Sequence, residues 1–534
     1  MTMGDRQKIA GDHAIRALMA SGDDRSSSTA EGARAAACAV RSAEQLAAAA
    51  PPSARLIAEY KTCSDRAIHA LMRGKPRRLP EGQHVALGGS VAVEFRELSP
   101  LLGSKPLLIR PSRAHWPARA MDPTRSGLGI PLVAYAPRCE DRPACHHLPP
   151  EGVFRPVTAW VEAHRGQPLI VIANPAVIQT AHFGAHSERL NSDFASHYDV
   201  ALRTTALDRL AIWGLLGGPE LSRRSGVFLM EDYDPTKAPL VMIHGLGGSP
   251  TSWADLNREV WSDPTLRARY QVWHVVYQTN APWLIVRRRV ERYLDAAWAT
   301  IDPEGDDPAR RRIVLVGHSM GGLVARLLAS ASGDRVWDAS FGVAPDAIRA
   351  SDDDRDELER TFRFQPYPGL TRVILLSAPH GGSPNAKRPI GRLAQWLIGS
   401  KAPEVLQLRA IARANEPALQ PSVRTAFLSG RLNSVASLAT DNALLRAVNG
   451  LVPACNVPYH TVTGQLRRNP GSDGVVPVES ALLDGAASSE VVAFGHKTYQ
   501  SQAAVAEVVR VLRLADRAPI PTPAGDPCLP RVSP

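Results

Sequence analysis

The stretch Ile313-Val314-Leu315-Val316-Gly317-His318-Ser319-Met320-Gly321-Gly322, running on into Leu323 to Leu328, decides how the rest of this chain folds. Four consecutive apolar residues, three of them β-branched, predict a buried strand, and Leu323 to Leu328 predict a helix. Between them stands a Gly-x-Ser-x-Gly turn. The two glycines permit a strained, close-packed turn that lifts the serine side chain out of a sheet and toward solvent. Ser319 is the candidate nucleophile, and a serine hydroxyl needs a base to take its proton and a third group to orient that base.

Outward from this turn, strands alternate with amphipathic helices. Leu240–Ile243, Val272–Tyr277, Ile313–Val316, Val373–Leu376, Tyr459–Thr463 and Val491–Phe494 read as strands. Val286, Val290, Tyr293, Ala297 and Ile301 follow helical spacing, as do Val505, Val508, Val509 and Leu512. The alternation predicts an α/β fold, a mostly parallel sheet with helices on both faces. In such a sheet the crevice lies at the carboxyl ends of the strands.

Two residues sit at those ends, downstream of Ser319 and in the order acid, then histidine. Asp473 lies in Gly471-Ser472-Asp473-Gly474-Val475-Val476-Pro477, and His496 follows the last predicted strand. An Asp-Gly pair alone is a turn signal, and a lone histidine has many uses. Jointly, in that order and at those strand ends, they complete a Ser, Asp, His set. His380 also follows a strand, but it precedes the acid, so chain order assigns the base to His496. Negative charge developing on a substrate oxygen needs backbone N–H donors. Met320, just after Ser319, supplies one. Leu246, in His244-Gly245-Leu246-Gly247-Gly248-Ser249, supplies the other. A phosphate cradle would require a lysine after those glycines, and none follows.

Together, His244-Gly245-Leu246-Gly247-Gly248, Gly317-His318-Ser319-Met320-Gly321-Gly322, Ser377-Ala378-Pro379-His380-Gly381-Gly382-Ser383, Asp473-Gly474-Val475-Val476-Pro477 and His496 resemble the lipase and esterase branch of the α/β-hydrolase superfamily. The Pro379–Ser383 stretch, with Ser434 to Leu438 and Leu444 to Asn449, is similar to PGAP1-like and triacylglycerol-lipase members. The resemblance spans residues 225 to 514. It implies hydrolysis of carboxylic esters through an acyl-enzyme, without cofactor or metal. Acyl transfer to another acceptor would use the same residues, and a non-catalytic scaffold would be expected to have lost one of them.

The sequence divides into an Ala-rich, partly disordered and partly helical arm (1–70), an accessory β-rich region (71–224), the catalytic domain (225–514) with a helical cap insertion at about 384–455, and a Pro-rich tail (515–534). Short β-like runs in the accessory region are Val91–Phe95, Leu132–Tyr135, Leu169–Ile172 and Val200–Leu202. In the insertion, Ile390, Leu393, Trp396 and Leu397 share one helical face, and Trp396 and Leu397 are candidate acyl contacts or core. The run Ser351 to Glu357 reads as a solvated acidic loop, and Arg287–Arg289 and Arg310–Arg312 as solvated faces.

A formal charge of +10 over 534 residues is spread along the chain. It most simply reads as solvated faces, allows weak peripheral attraction to anionic lipid, and gives no nucleic-acid signature. The six cysteines, Cys38, Cys63, Cys139, Cys145, Cys455 and Cys528, are too few and scattered to read as a disulfide framework. Cys139 and Cys145 read as free or bridged in a loop in preference to a metal site with His146 and His147. No apolar run is long enough to span a bilayer, and the first twenty residues show no secretory signal.

Overall fold

A computed structural model describes residues 28–73, 76–82, 87, 91–111, 124–204, 224–279, 281–383, 402–429, 438 and 442–514. The chain divides into two compact units, one of residues 1–206 with 257–264 and one of residues 207–256 with 265–534.

In the first unit, β1 (Arg77–Arg78), β2 (Ala92–Arg96), β3 (Leu107–Ile109), β5 (Ile130–Ala136), β6 (Val153–His164) and β7 (Gln167–Ala173) form a sheet in the order β1-β3-β5-β6-β7-β2. Only the β2–β7 pair in it is parallel. β4 (Thr124–Arg125) pairs with β10 (Ser192–Asp193), and β8 (Thr180–Phe183) with β9 (His186–Arg189). The sequence reading missed β6, because Arg155 and Pro156 interrupt its apolar pattern. It also took Val200–Leu202 for a strand. These residues lie in a helix, Ser196–Thr204, started by Asp193, whose carboxylate accepts from the N–H groups of Ala195 and Ser196.

The Ala-rich arm is described from residue 28 onward, as two helices. α1 (Ser28–Ala48) and α2 (Ala54–Leu71) contribute Ala35, Ala39, Ala43, Leu46, Tyr60 and Ile68 to the core of this unit. Alanines at helical spacing let the two helices approach closely, and Cys38 is bridged to Cys63 across them. Tyr60 O–H donates to Val161 O at 2.6 Å, and Val161 N–H to Ser64 Oγ at 3.1 Å, tying α2 to β6. Cys139 and Cys145 form a second bridge, which commits both sulfurs to each other, and Cys455 is also disulfide-bonded. The expectation against a disulfide framework is therefore overturned; spacing in a long chain does not reveal which thiols the fold brings together.

The second unit holds a seven-stranded sheet in the order β11-β13-β12-β14-β15-β16-β17. Its strands are β11 (Gly226–Leu229), β12 (Ala238–Ile243), β13 (Tyr270–Val276), β14 (Ile313–His318), β15 (Leu370–Leu376), β16 (Tyr459–Gly464) and β17 (Ser488–Val492). β11 is antiparallel to β13, and the remaining pairs are parallel. Every residue of β12, β13 and β14 is buried, as expected for parallel strands covered on both faces. β17 begins earlier than the apolar run Val491–Phe494 predicted, because an edge strand with exposed residues carries no apolar signal.

Helix α3 (Trp283–Ile301) brings a second correction. Arg287 is 1% exposed, donates to Glu291 and to Arg360 O, and lies over the Phe364 ring. Arg288 pairs with Glu357 and Arg289 with Glu404, so this cluster is a set of anchored ion pairs. Long arginine stems cover apolar surface while their heads find carboxylates. The acidic run is not a loop either. Ser351 caps a helix at Asp352–Phe362 by accepting from Asp354 N–H, and aspartates in a first turn complement the helix dipole. In the insertion, helices Pro403–Ala414, Pro421–Ser429 and Ala443–Asn449 are described; Ile390, Leu393, Trp396 and Leu397 lie outside the described residues.

Two predictions follow from this packing. The Cys38–Cys63 bridge closes a loop of 25 residues, for which loop entropy alone gives about 3.5 kcal/mol. Replacing both cysteines by alanine should lower the stability of the first unit by roughly that amount in urea titration, and an unchanged midpoint would show the bridge to be idle. In the second unit His244, His274, His318 and His460 are buried on or next to central strands, and burial holds their pKa values at about 4, 3, 3 and 4. The folded state keeps them neutral while the unfolded chain binds protons below about pH 6.5. Their contribution is thus intact above that pH and is lost as pH falls toward 4, by up to about 1.4 kcal/mol per group per pH unit. Circular dichroism should show acid unfolding of this unit between about pH 6 and 4. An unchanged melting temperature at pH 4 would contradict it.

Candidate active site

Helix α4 (Met320–Leu328) begins one residue after β14 ends, so Ser319 must turn the chain by itself. It does so at φ 54° and ψ −126°, a conformation that side chains with a Cβ seldom take. Its N–H donates to Leu376 O at 2.8 Å, fixing the turn to β15. Glycine is required on either side. A Cβ on Gly317 would lie 2.4 Å from Gly321 O, and one on Gly321 only 2.2 Å from Ile243 O.

The structure brings Ser319, Asp473 and His496 together. Ser319 Oγ lies 3.0 Å from His496 Nε2, and His496 Nδ1 lies 2.8 Å from Asp473 Oδ2. A carboxylate only accepts, so Nδ1 carries the proton and Nε2 turns its lone pair to the hydroxyl of Ser319. Asp473 is fully buried at its side chain. Burial alone would raise its pKa, but the His496 hydrogen bond and charge, with backbone N–H groups of Val476 and Val475, hold it below the ordinary aspartate value. Those N–H groups donate to Oδ1 at 2.7 and 2.8 Å.

Leu246 lies in the turn after β12, and this turn runs against the nucleophile: a Cβ on Gly245 would sit 2.8 Å from Ser319 Cβ. Among the described residues, neither the Leu246 N–H nor the Met320 N–H has an acceptor. His380 takes no part in this line. It is 1% exposed, neither ring nitrogen bonds to Ser319, Asp473 or His496, and burial together with Arg326 pushes its pKa well below the usual value.

Three residues around His496 escaped the sequence reading. His318 Nε2 lies 2.8 Å from His496 O, and Thr498 N–H donates to the same carbonyl at 2.9 Å. Thr498 Oγ1 also donates to Ser377 Oγ at 3.2 Å, and Ser377 has a positive φ of 46°. Nothing in local spacing signals the contacts of His318 and of Thr498 Oγ1, which join segments 178 and 121 residues apart. Asp302, Asp306 and Asp307 form an acidic group before β14, at the opposite end from Ser319, where Asp302 accepts from Gly305 N–H and pairs with Arg310.

Among solved structures, the chain is similar to the mature lipase BlEst2 of Bacillus licheniformis at 18% identity and a TM-score of 0.30, covering 54% of this chain and 97% of that one. Esterase B of Lactobacillus rhamnosis matches at 12% identity and a TM-score of 0.27, over 54% of this chain and 80% of that one. A lipase-esterase related protein of Clostridium acetobutylicum matches at 14% identity and a TM-score of 0.25, over 54% and 99%. No curated protein matches the sequence. The model of the alpha/beta hydrolase family matches residues 240–511, just over half of the chain and the whole span from β12 to the last helix, and the chain therefore belongs to the alpha/beta hydrolase family.

Proposed function

We propose that this protein is a serine hydrolase of carboxylic esters, of the lipase and esterase kind, working through an acyl-enzyme. The observation that carries the proposal is the continuous line from Asp473 through His496 to Ser319 Oγ, with the serine on a strained turn at the carboxyl end of β14. In this reading His496 Nε2 takes the Ser319 proton as Oγ attacks the ester carbonyl. The N–H groups of Leu246 and Met320 receive the negative charge that forms on oxygen. The protonated imidazole, stabilised by Asp473, then gives its proton to the departing alkoxide, and water repeats the sequence on the acyl-enzyme. None of these steps calls for a cofactor. An ester or lipid is the partner this chemistry needs, and no helix among the described residues is long and apolar enough to cross a membrane. The insertion at 384–455 would serve as a cap over the acyl chain, with Trp396 and Leu397 among its contacts.

An active-site-directed fluorophosphonate should label the protein once, and Ser319→Ala should abolish both labelling and ester hydrolysis. Full labelling of the alanine variant would falsify the nucleophile. Because the three residues act as a unit, His496→Ala should lower kcat by about 10⁴- to 10⁶-fold, while His380→Ala should cost far less. A reversed order of the two losses would make His380 the base.

The cap makes a separate prediction, from the apolar face shared by Trp396 with Ile390, Leu393 and Leu397 in the sequence. Each buried methylene is worth about 0.8 kcal/mol, so Trp396→Ala should lower kcat/KM more on palmitate than on acetate esters. Equal losses on both, with a lower melting temperature, would make Trp396 a core residue instead.

A further inference from the structure

His496 reaches Ser319 from a loop after the edge strand β17, and its side chain is 19% exposed. Asp473 fixes one ring nitrogen. A single hydrogen bond to a ring leaves the backbone that carries it free to shift, and a shift of about 1 Å at a reacting group costs about 100-fold in rate. What holds the backbone of this loop is therefore part of the chemistry.

Two donors converge on the His496 carbonyl, the N–H of Thr498 from within the loop and the imidazole of His318 from β14. A carbonyl only accepts, so the His318 proton resides on Nε2. Burial keeps this imidazole neutral. The ring is itself held in place on three sides. It is 6% exposed and meets Tyr499 edge-on at 4.7 Å and 88°. Gly245 lies beside its other nitrogen, so near that a Cβ there would be 3.0 Å from Nδ1. Tyr499 in turn packs against Trp253 at 6.3 Å, in the turn that follows the Gly245–Ser249 loop. One imidazole thus touches the segment of the base and the segment of the oxyanion donor, and is bonded in sequence to the nucleophile.

We propose that His318 is a positioning residue, whose Nε2–H holds the main-chain carbonyl of His496 and thereby sets the base against Ser319. The inference rests on the reading of His496 as general base. It separates His318 from the generic occupant of the second place in a Gly-x-Ser-x-Gly turn, where shape alone would suffice.

The test compares the full-length wild type with His318→Leu, which keeps the volume and loses the donor, and His318→Gln, which returns an N–H near the place of Nε2. Fluorophosphonate labelling rate, kcat and KM on a short-chain ester, melting temperature and the downfield proton resonance of His496 Nδ1–H are measured for each. His318→Leu should lower kcat and labelling rate by about 30- to 100-fold with KM within about twofold, and its Nδ1–H resonance should broaden or vanish. His318→Gln should recover most of the loss and the resonance. Wild-type rates in His318→Leu, or equal losses in both variants that follow the melting temperature, would overturn the positioning role and leave the hydrolase reading intact. A wild type that fails to react with the fluorophosphonate would remove the hydrolase reading and this inference with it.

Discussion

The backbone of Ser319 is held where serine does not relax by itself, and much of the second unit is arranged to keep it there. A residue with a Cβ at such a φ costs on the order of 1–3 kcal/mol. Against that stands the burial of all nine residues of α4, including four large aliphatic side chains, Leu323, Val324, Leu327 and Leu328, each 0% exposed. At about 1.5–3 kcal/mol for each large aliphatic side chain, helix packing exceeds the strain several times over. The helix can pack so closely only because Gly321 lets its first turn touch the carbonyl of Ile243. Packing, strain and exposure of the hydroxyl are one constraint seen from three sides.

The same close packing creates an electrostatic problem. A carboxylate buried beneath the sheet edge loses its water, a cost of several kcal/mol unless donors replace it. Asp473 receives three, from Val475, Val476 and His496. Two of these are backbone groups that cannot move away, so the charge survives burial and the third donor is the one it can orient. His244, His318 and His380 also lie buried in the loops and strand end of this region, and burial keeps each neutral. Several imidazoles are close to the nucleophile, and the one set on a carboxylate is His496.

What the sequence reveals and what it hides divide along the same physical line. The elbow is legible because its strain excludes all but glycine at two positions, and Asp473 and His496 are legible because loops at strand ends recur in a fixed order. Contacts made by ordinary backbone atoms leave no such trace. The carbonyl of His496 is identical in any residue, so its donors, His318 and Thr498, could not be inferred. The alanines of α1 bury well without looking hydrophobic, and Arg287 is held by a partner 73 residues away, the carbonyl of Arg360 in the helix Asp352–Phe362. Ser351 before three aspartates carries the signal of a helix start, while the same run of charge is equally compatible with a solvated loop.

That His318 should carry the support of a distant loop has a geometric reason. It is the last residue of β14, paired in register with Leu376 of β15. Its Cα and Cβ are therefore set by the ladder, whereas Ser319 and everything after it are set by the turn. A side chain launched from a rigid element is aimed more accurately than one launched from a loop. The separation between His318 and the carbonyl it holds is 178 residues, so this single hydrogen bond lets the central, fully buried strand of the sheet govern the placement of a loop at its edge. A chain that relied on the loop's own Thr498 contact would leave the base as mobile as the loop itself, and the gain from having the nucleophile and the base referred to one strand end is relative position, on which proton transfer at 3.0 Å depends.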